Sequence, residues 1–177
     1  MESQISVTIF YALPAIGMLI ASILLILFFK KPFTSIIGTF SPRQTILNGI
    51  IIFCQLLLVS LFIDLFTKSM GINDTQLVEQ TISTLRTFNT ETIATIIGNV
   101  AIEELFFRGI IYTWLGSAVS ILLFGLFHTG YQSWIQLAAS LAAGYILIRS
   151  REQNQSIFPG IIGHALYNLV IIFILSS

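Results

Sequence analysis

Apolar runs of about 20 residues follow one another along almost the whole of this 177-residue chain. A run of that length can cross a bilayer as one helix, and a series of them leaves few other folds open. Hydrophobic residues make up 55% of the chain and charged residues only 9%. A soluble domain carries about a quarter charged residues, so too little polar surface remains here to cover a water-soluble globule. Helices and closed barrels alone satisfy every backbone group in lipid, and barrel strands alternate polar with apolar, which these runs do not. The sequence therefore predicts an all-α, polytopic transmembrane helical bundle.

The runs fall at about Ile5–Phe29, Ile46–Phe66, Thr92–Leu115, Ala118–His128, Ser133–Ile148 and Ile157–Leu175, which gives about six spans. Pro14 is expected to kink the first, which lacks the basic leader of a signal peptide and reads as a retained anchor. Residues 67–90 form a more polar connector with Asp74, Glu79 and Arg86, where a short interfacial helix is expected. The fifth run is rich in small residues from Ala138 to Gly144, which lets a helix approach its neighbour closely. No repeat or low-complexity tract divides the chain, so residues 1–177 read as a single membrane domain, with two spans and the connector in 1–90. Lys30, Lys31, Arg43, Arg149 and Arg151 fall on one side of such a bundle, and Lys68 and Arg86 on the other. The richer side belongs in the cytoplasm, which leaves both termini outside.

Eight basic and eight acidic side chains cancel, so no nucleic-acid partner is expected and the bilayer is the expected surroundings. The single cysteine, Cys54, has no intramolecular partner and reads as a small buried hydrophobe. Asp64 and Lys68 mark an interface, and Trp114 and Trp134 suit the aromatic belts.

Three charges interrupt the third run: Glu103, Glu104 and Arg108. Each costs about 2.5–3.5 kcal/mol at the centre of a bilayer on insertion scales, so together they ask for partners and for a purpose. Arg108 follows Glu104 by four residues, about 40° round a helix, which suits an intrahelical salt bridge. Glu103 lies about 100° away and is free to face the only two histidines, His128 and His164. His164 and Asn168 are also four apart and share a face.

Depth brings these groups together. A turn is expected near Gly116, and Glu104 lies 12 residues before it and His128 12 after. At 1.5 Å per residue both sit about 18 Å from that turn. His164 and Asn168, 7 and 11 residues past Ile157, sit about 10–16 Å deep from the same side. The midplane lies about 15 Å from either face, so three helices deliver polar groups to one stratum. Phe124 reads as packing.

The motif order is Glu-Glu-x-x-x-Arg at 103–108, Phe-x-x-x-His at 124–128 and His-x-x-x-Asn at 164–168. Here the chain resembles the CPBP family of CAAX prenyl proteases and bacteriocin-processing membrane proteins, also called the Abi family. The resemblance covers about residues 92–175, the last four spans, and makes residues 91–177 a CPBP-like catalytic core with the active site between those spans. It implies an intramembrane endopeptidase acting on a hydrophobic or membrane-anchored peptide or protein. The short chain resembles a compact bacterial member in the cell membrane, tied to bacteriocin or pheromone maturation or to self-immunity.

The residues suit that chemistry. Glu103 can act as general base towards a water that His128 holds, while His164 and Asn168 donate to a developing oxyanion. Glu104 and Arg108 then support the helix. Glu103, His128 and His164 also make a two-histidine, one-carboxylate set of the kind that holds catalytic zinc, so a divalent metal stays open as an alternative. Two other classes remain, a non-catalytic scaffold or immunity protein and a proton-coupled carrier. Carriers show internal repeats, and none is visible here.

Overall fold

The structure, a computed structural model, describes residues 2–30, 32–76, 78–79 and 89–176. Among these it is helical, with no strand and one isolated backbone bridge between Gly38 and Ser156. Helix α1 spans Glu2–Phe29 and continues through Pro14. The single turn α2, Phe33–Ile37, leads to α3, Pro42–Ser69, which starts with proline in its first turn, where a missing N–H leaves no bond unmade. Helix α4, Thr90–Glu104, passes directly into a π-helical segment, Leu105–Ile111, and that into α5, Tyr112–Phe127. A 3-10 turn at Thr129–Tyr131 precedes α6, Trp134–Asn154, and α7, Phe158–Ser176, completes the described chain.

Local chemistry sets where the rods begin. The Asn89 side chain accepts the Thr92 N–H at 2.9 Å and caps α4, with Glu91 in the first turn facing the positive end of the helix. Ser133 caps α6 by accepting the Gln136 N–H at 2.9 Å. Asp74 then ties the connector to that cap, accepting Ser133 Oγ–H at 2.8 Å and the Trp134 N–H at 2.6 Å. The expected helix in the connector falls largely outside the described residues, as do Lys31 and Arg86.

Gly116 breaks the long rod. Its φ of +83° with ψ of 177° is a conformation that glycine alone adopts without strain. The first residues of α5 therefore complete the α4 rod, and the rest of α5 folds back along it, which brings Ser120 Oγ within 2.8 Å of the Phe107 carbonyl. By length and composition, Pro42–Ser69 and Thr90–Tyr131 can each cross a membrane, and Leu13–Phe28 and Phe158–Ile174 are shorter apolar helices. The second stretch has 42 residues, about twice one crossing, and Gly116 divides it. The six expected runs thus coincide with α1, α3, the α4–π rod, the return arm of α5, α6 and α7.

The outer faces are apolar, as lipid requires: Leu24 and Phe28 on α1 and Leu58 and Phe62 on α3 are all exposed. Cys54 is exposed on α3 as well, against the expectation of a buried thiol, because α3 turns only Thr45, Gly49, Ile52 and Leu56 fully inward. One inner cluster gathers Met18 with Phe106, Phe107, Ile111 and Phe124, and a second joins Ile52 and Leu56 to Leu147. Helices α3 and α7 touch so closely that a Cβ on Gly163 would lie 2.6 Å from Ile52 Cγ2. At one end of the bundle the loops are stitched together: the Ile157 N–H donates to the Ile37 carbonyl at 3.0 Å, and the Asn48 amide donates to Asn154.

Candidate active site

Glu104 closes α4 and Arg108 lies inside the π segment that follows, with Glu104 Oε1 accepting from Arg108 Nη1 at 3.0 Å. Their side chains are 0% and 1% exposed, so each depends on the other for charge balance. The flat guanidinium also lies over the Phe124 ring, 4.0 Å from its centroid, and 5.8 Å from that of Phe107. A desolvated contact of this kind is worth up to about 2 kcal/mol. Phe124 reaches that position because α5 turns back at Gly116 and packs on the small-residue face of α6, where a Cβ on Gly144 would lie 3.3 Å from Phe124 Cδ1. The ring packs in the inner cluster, as expected, and also carries the guanidinium of Arg108 on its face.

Helix α7 brings His164 to the same place. Its Nδ1 lies 3.0 Å from Glu104 Oε1, and its Nε2 lies 4.0 Å from Glu103 Oε2. A carboxylate only accepts, so Nδ1 carries the proton and Nε2 faces Glu103. Gly160, one turn before His164, permits this approach, since a Cβ there would fall 2.9 Å from Glu104 Oε2. Across the cluster His128 ends α5. Its Nδ1–H donates to the Phe124 carbonyl at 2.8 Å, which leaves its Nε2 free of that bond. The Phe124 ring lies 4.7 Å from the His128 ring and 5.9 Å from that of His164, centroid to centroid, and so neighbours both imidazoles.

Five of the six residues singled out from the sequence therefore share one cluster: Glu103, Glu104, Arg108, His128 and His164. Asn168 is half-buried one turn beyond His164 and takes no part in the bonds above. The division between the glutamates differs from expectation. Glu104 binds both Arg108 and His164 through a single oxygen, whereas Glu103 is not within bonding range of His164 and keeps 22% of its side chain exposed. The accessible carboxylate is thus Glu103 and the sealed one Glu104. Among the described residues no three His, Cys, Asp or Glu side chains gather as a metal-binding group, so Glu103, His128 and His164 do not assemble the ligand set considered above.

Sequence reasoning missed three contributors. Gly160 and Phe124 were legible only as neighbours in the motifs that hold His164 and His128. Arg151 was counted among the loop cations, yet it is 5% exposed and donates to the Arg108 carbonyl from Nε at 3.3 Å.

Residues 86–170 match a protein-family model, Rce1-like, described as Type II CAAX prenyl endopeptidase Rce1-like. The matched stretch runs from just before α4 to the middle of α7 and contains every residue of the cluster. No curated protein and no solved structure matches the chain.

Proposed function

We propose, from the premise that residues 86–170 make this chain a member of the CPBP, or CAAX-protease, family, that it is an intramembrane endopeptidase using water activated by Glu103. The observation that carries the reading is the contrast between the two neighbouring glutamates: Glu103 is accessible and faces His164 Nε2 at 4.0 Å, while Glu104 is sealed against Arg108 and His164.

In this mechanism a water sits between Glu103 and the free Nε2 of His128. Glu103 takes one proton as the water oxygen attacks the scissile carbonyl carbon, which becomes a tetrahedral oxyanion. Asn168 donates to that oxyanion, and so does His164 from Nε2 when the histidine carries a second proton, as an imidazolium paired with Glu104. The carbon–nitrogen bond then breaks, and the proton held by Glu103 passes to the departing amine. Glu104 plays the part of an orienting carboxylate towards His164, fixing the imidazole through Nδ1 much as the aspartate of a serine-protease triad fixes its histidine. Arg108 balances the charge that Glu104 brings into the bundle. With both imidazoles neutral the two carboxylates and one guanidinium leave a single negative charge, and one proton on a histidine cancels it.

The substrate is a hydrophobic or membrane-anchored peptide or protein, and the protein is multi-pass in a bacterial plasma membrane. The family description names a type II CAAX prenyl endopeptidase. A compact bacterial chain suits maturation of a secreted peptide, a bacteriocin or pheromone, or self-immunity against one. The test is cleavage of a library of fluorogenic and hydrophobic precursor peptides by the purified protein in detergent, with Glu103→Ala and His128→Ala beside the wild type, each with and without chelator. Cleavage lost in both variants and indifferent to chelator is expected. Loss with chelator and recovery with zinc would move the chemistry to a metal. A wild type that cleaves nothing, with both variants still functional in cells, would replace the enzyme by a non-catalytic scaffold or immunity protein.

A further inference from the structure

A π-helix bonds from residue i to i+5 and widens each turn, which opens backbone carbonyls to donors from outside the helix. In Leu105–Ile111 those donors come from elsewhere in the bundle. The Phe107 carbonyl accepts the Tyr112 N–H five residues on and also Ser120 Oγ–H from α5 at 2.8 Å. The Arg108 carbonyl accepts Nε–H of Arg151 from α6 at 3.3 Å. The guanidinium of Arg151 also donates through Nη2 to the carbonyls of Ser35 at 3.0 Å and Ile36 at 3.2 Å, both in α2. Its central carbon lies 5.6 Å from the Tyr112 ring centroid.

An arginine retained only to mark the cytoplasmic side has no reason to be 5% exposed. Arg149, two residues earlier, behaves as such a marker, with half its side chain exposed in an ion pair to Glu152 at 2.8 Å. The charge of Arg151 is met instead by three carbonyl dipoles and an aromatic face, two of those carbonyls from the α2 region and the third from within the π segment. A planar fork with several fixed donors can hold such a set, and a lysine ammonium cannot reproduce its geometry.

We propose that Arg151 is a positioning residue for the Glu103–His164 site, clamping the Arg108 carbonyl against α2 so that Leu105–Ile111 keeps its π-helical form. The catalytic consequence rests on the protease reading above, and the geometric one does not. Relaxing the segment to an α-helix would turn the residues that follow by about 100° relative to Glu103 and Glu104. Arg108 could not then keep both Glu104 Oε1 and the Phe124 ring, and Glu104 would lose the geometry that fixes His164.

The test uses the full chain in nanodiscs, with histidine nitrogens followed by NMR and peptide cleavage followed in parallel for wild type, Arg151→Met, Arg151→Lys and Arg149→Met. In Arg151→Met the His164 Nδ1 resonance is expected to move away from its carboxylate-bonded position. The same variant should lose about 10–100-fold in kcat with KM within about threefold, since a displacement near 1 Å at a reacting centre costs that much. Arg151→Lys should restore only part of both effects, and Arg149→Met should leave both unchanged. An unmoved His164 resonance with kcat within about threefold of wild type would overturn the proposal, as would a rise in KM at constant kcat. If Arg151→Met fails to fold, Ser120→Ala removes only the bond to the Phe107 carbonyl, and a smaller shift of the same resonance is expected; no shift would overturn the proposal. A wild type that cleaves no peptide while its His164 resonance still answers to Arg151 would sink the protease reading and leave the positioning role standing.

Discussion

Two ion pairs in this molecule have the same spacing and nearly the same length. Asp64 and Lys68 in α3 approach to 2.8 Å, and Glu104 and Arg108 to 3.0 Å, each pair four residues apart. Lys68 and Asp64 are 70% and 49% exposed, whereas Arg108 and Glu104 are 1% and 0% exposed. An exposed pair loses in side-chain freedom and screening most of what it gains from attraction. A buried pair gains little over an apolar substitute, but removing one partner strands a charge in a medium that cannot solvate it. Sequence spacing announces both pairs equally; the packing around each decides which one matters.

The sharpest way to break that contrast is to remove one partner from each pair. Arg108→Met leaves Glu104 charged among Phe124, Gly160 and His164, and should destabilise the fold by about 3–5 kcal/mol, read as the shift in midpoint of a denaturant titration in mixed micelles. Glu103→Gln probes the neighbouring carboxylate that stayed accessible. It should lower the cleavage rate by about 10²–10⁴-fold while changing stability by less than about 1 kcal/mol, because Glu103 is not sealed into the cluster. Gly160→Ala presses a methyl onto Glu104 Oε2, where 2.9 Å is available, and should cost about 1–3 kcal/mol with a matching fall in cleavage rate. The smallest effect belongs to Lys68→Ala, under about 0.5 kcal/mol in the same titration. A Lys68 variant as damaging as the Arg108 variant would show that the comparison is drawn in the wrong place.

Much of the architecture was legible because lipid allows so few answers. The six apolar runs became six helices, and the turn at Gly116 fell where the matched depths of Glu104 and His128 required it. The four-residue spacing of Glu104 and Arg108 announced a bond that the structure contains. What stayed hidden depended on contacts between distant segments. No local pattern marks Leu105–Ile111 as π-helical, since its extra residue is accommodated by donors on α5 and α6. For the same reason the reading of helix angles gave His164 to Glu103, whereas His164 bonds Glu104 directly. Arg151 looked like a loop charge because its burial is created by α2, a single turn that hydropathy cannot see. Cys54 looked buried because an apolar neighbourhood in sequence is no guide to which face of a lipid-exposed helix points inward.

The glycine hinge has a consequence for how the protein is made. A ribosome delivers the α4 arm first, and within its apolar run that arm carries three charges, Glu103, Glu104 and Arg108, each resisting entry at the membrane centre by about 2.5–3.5 kcal/mol. The arm beyond Gly116, Ser117 to Phe127, carries none and is rich in leucine, isoleucine and phenylalanine, which favour entry by about 0.3–0.6 kcal/mol each. Neither arm is suited to cross by itself, the first too polar and the second too short. The physical expectation is that the two enter as one hairpin, pulled in by its second half. The hinge that folds Phe124 beneath Arg108 thus also sets when the Arg108–Phe124 half of the site can form, while the Glu104–His164 half waits for α7.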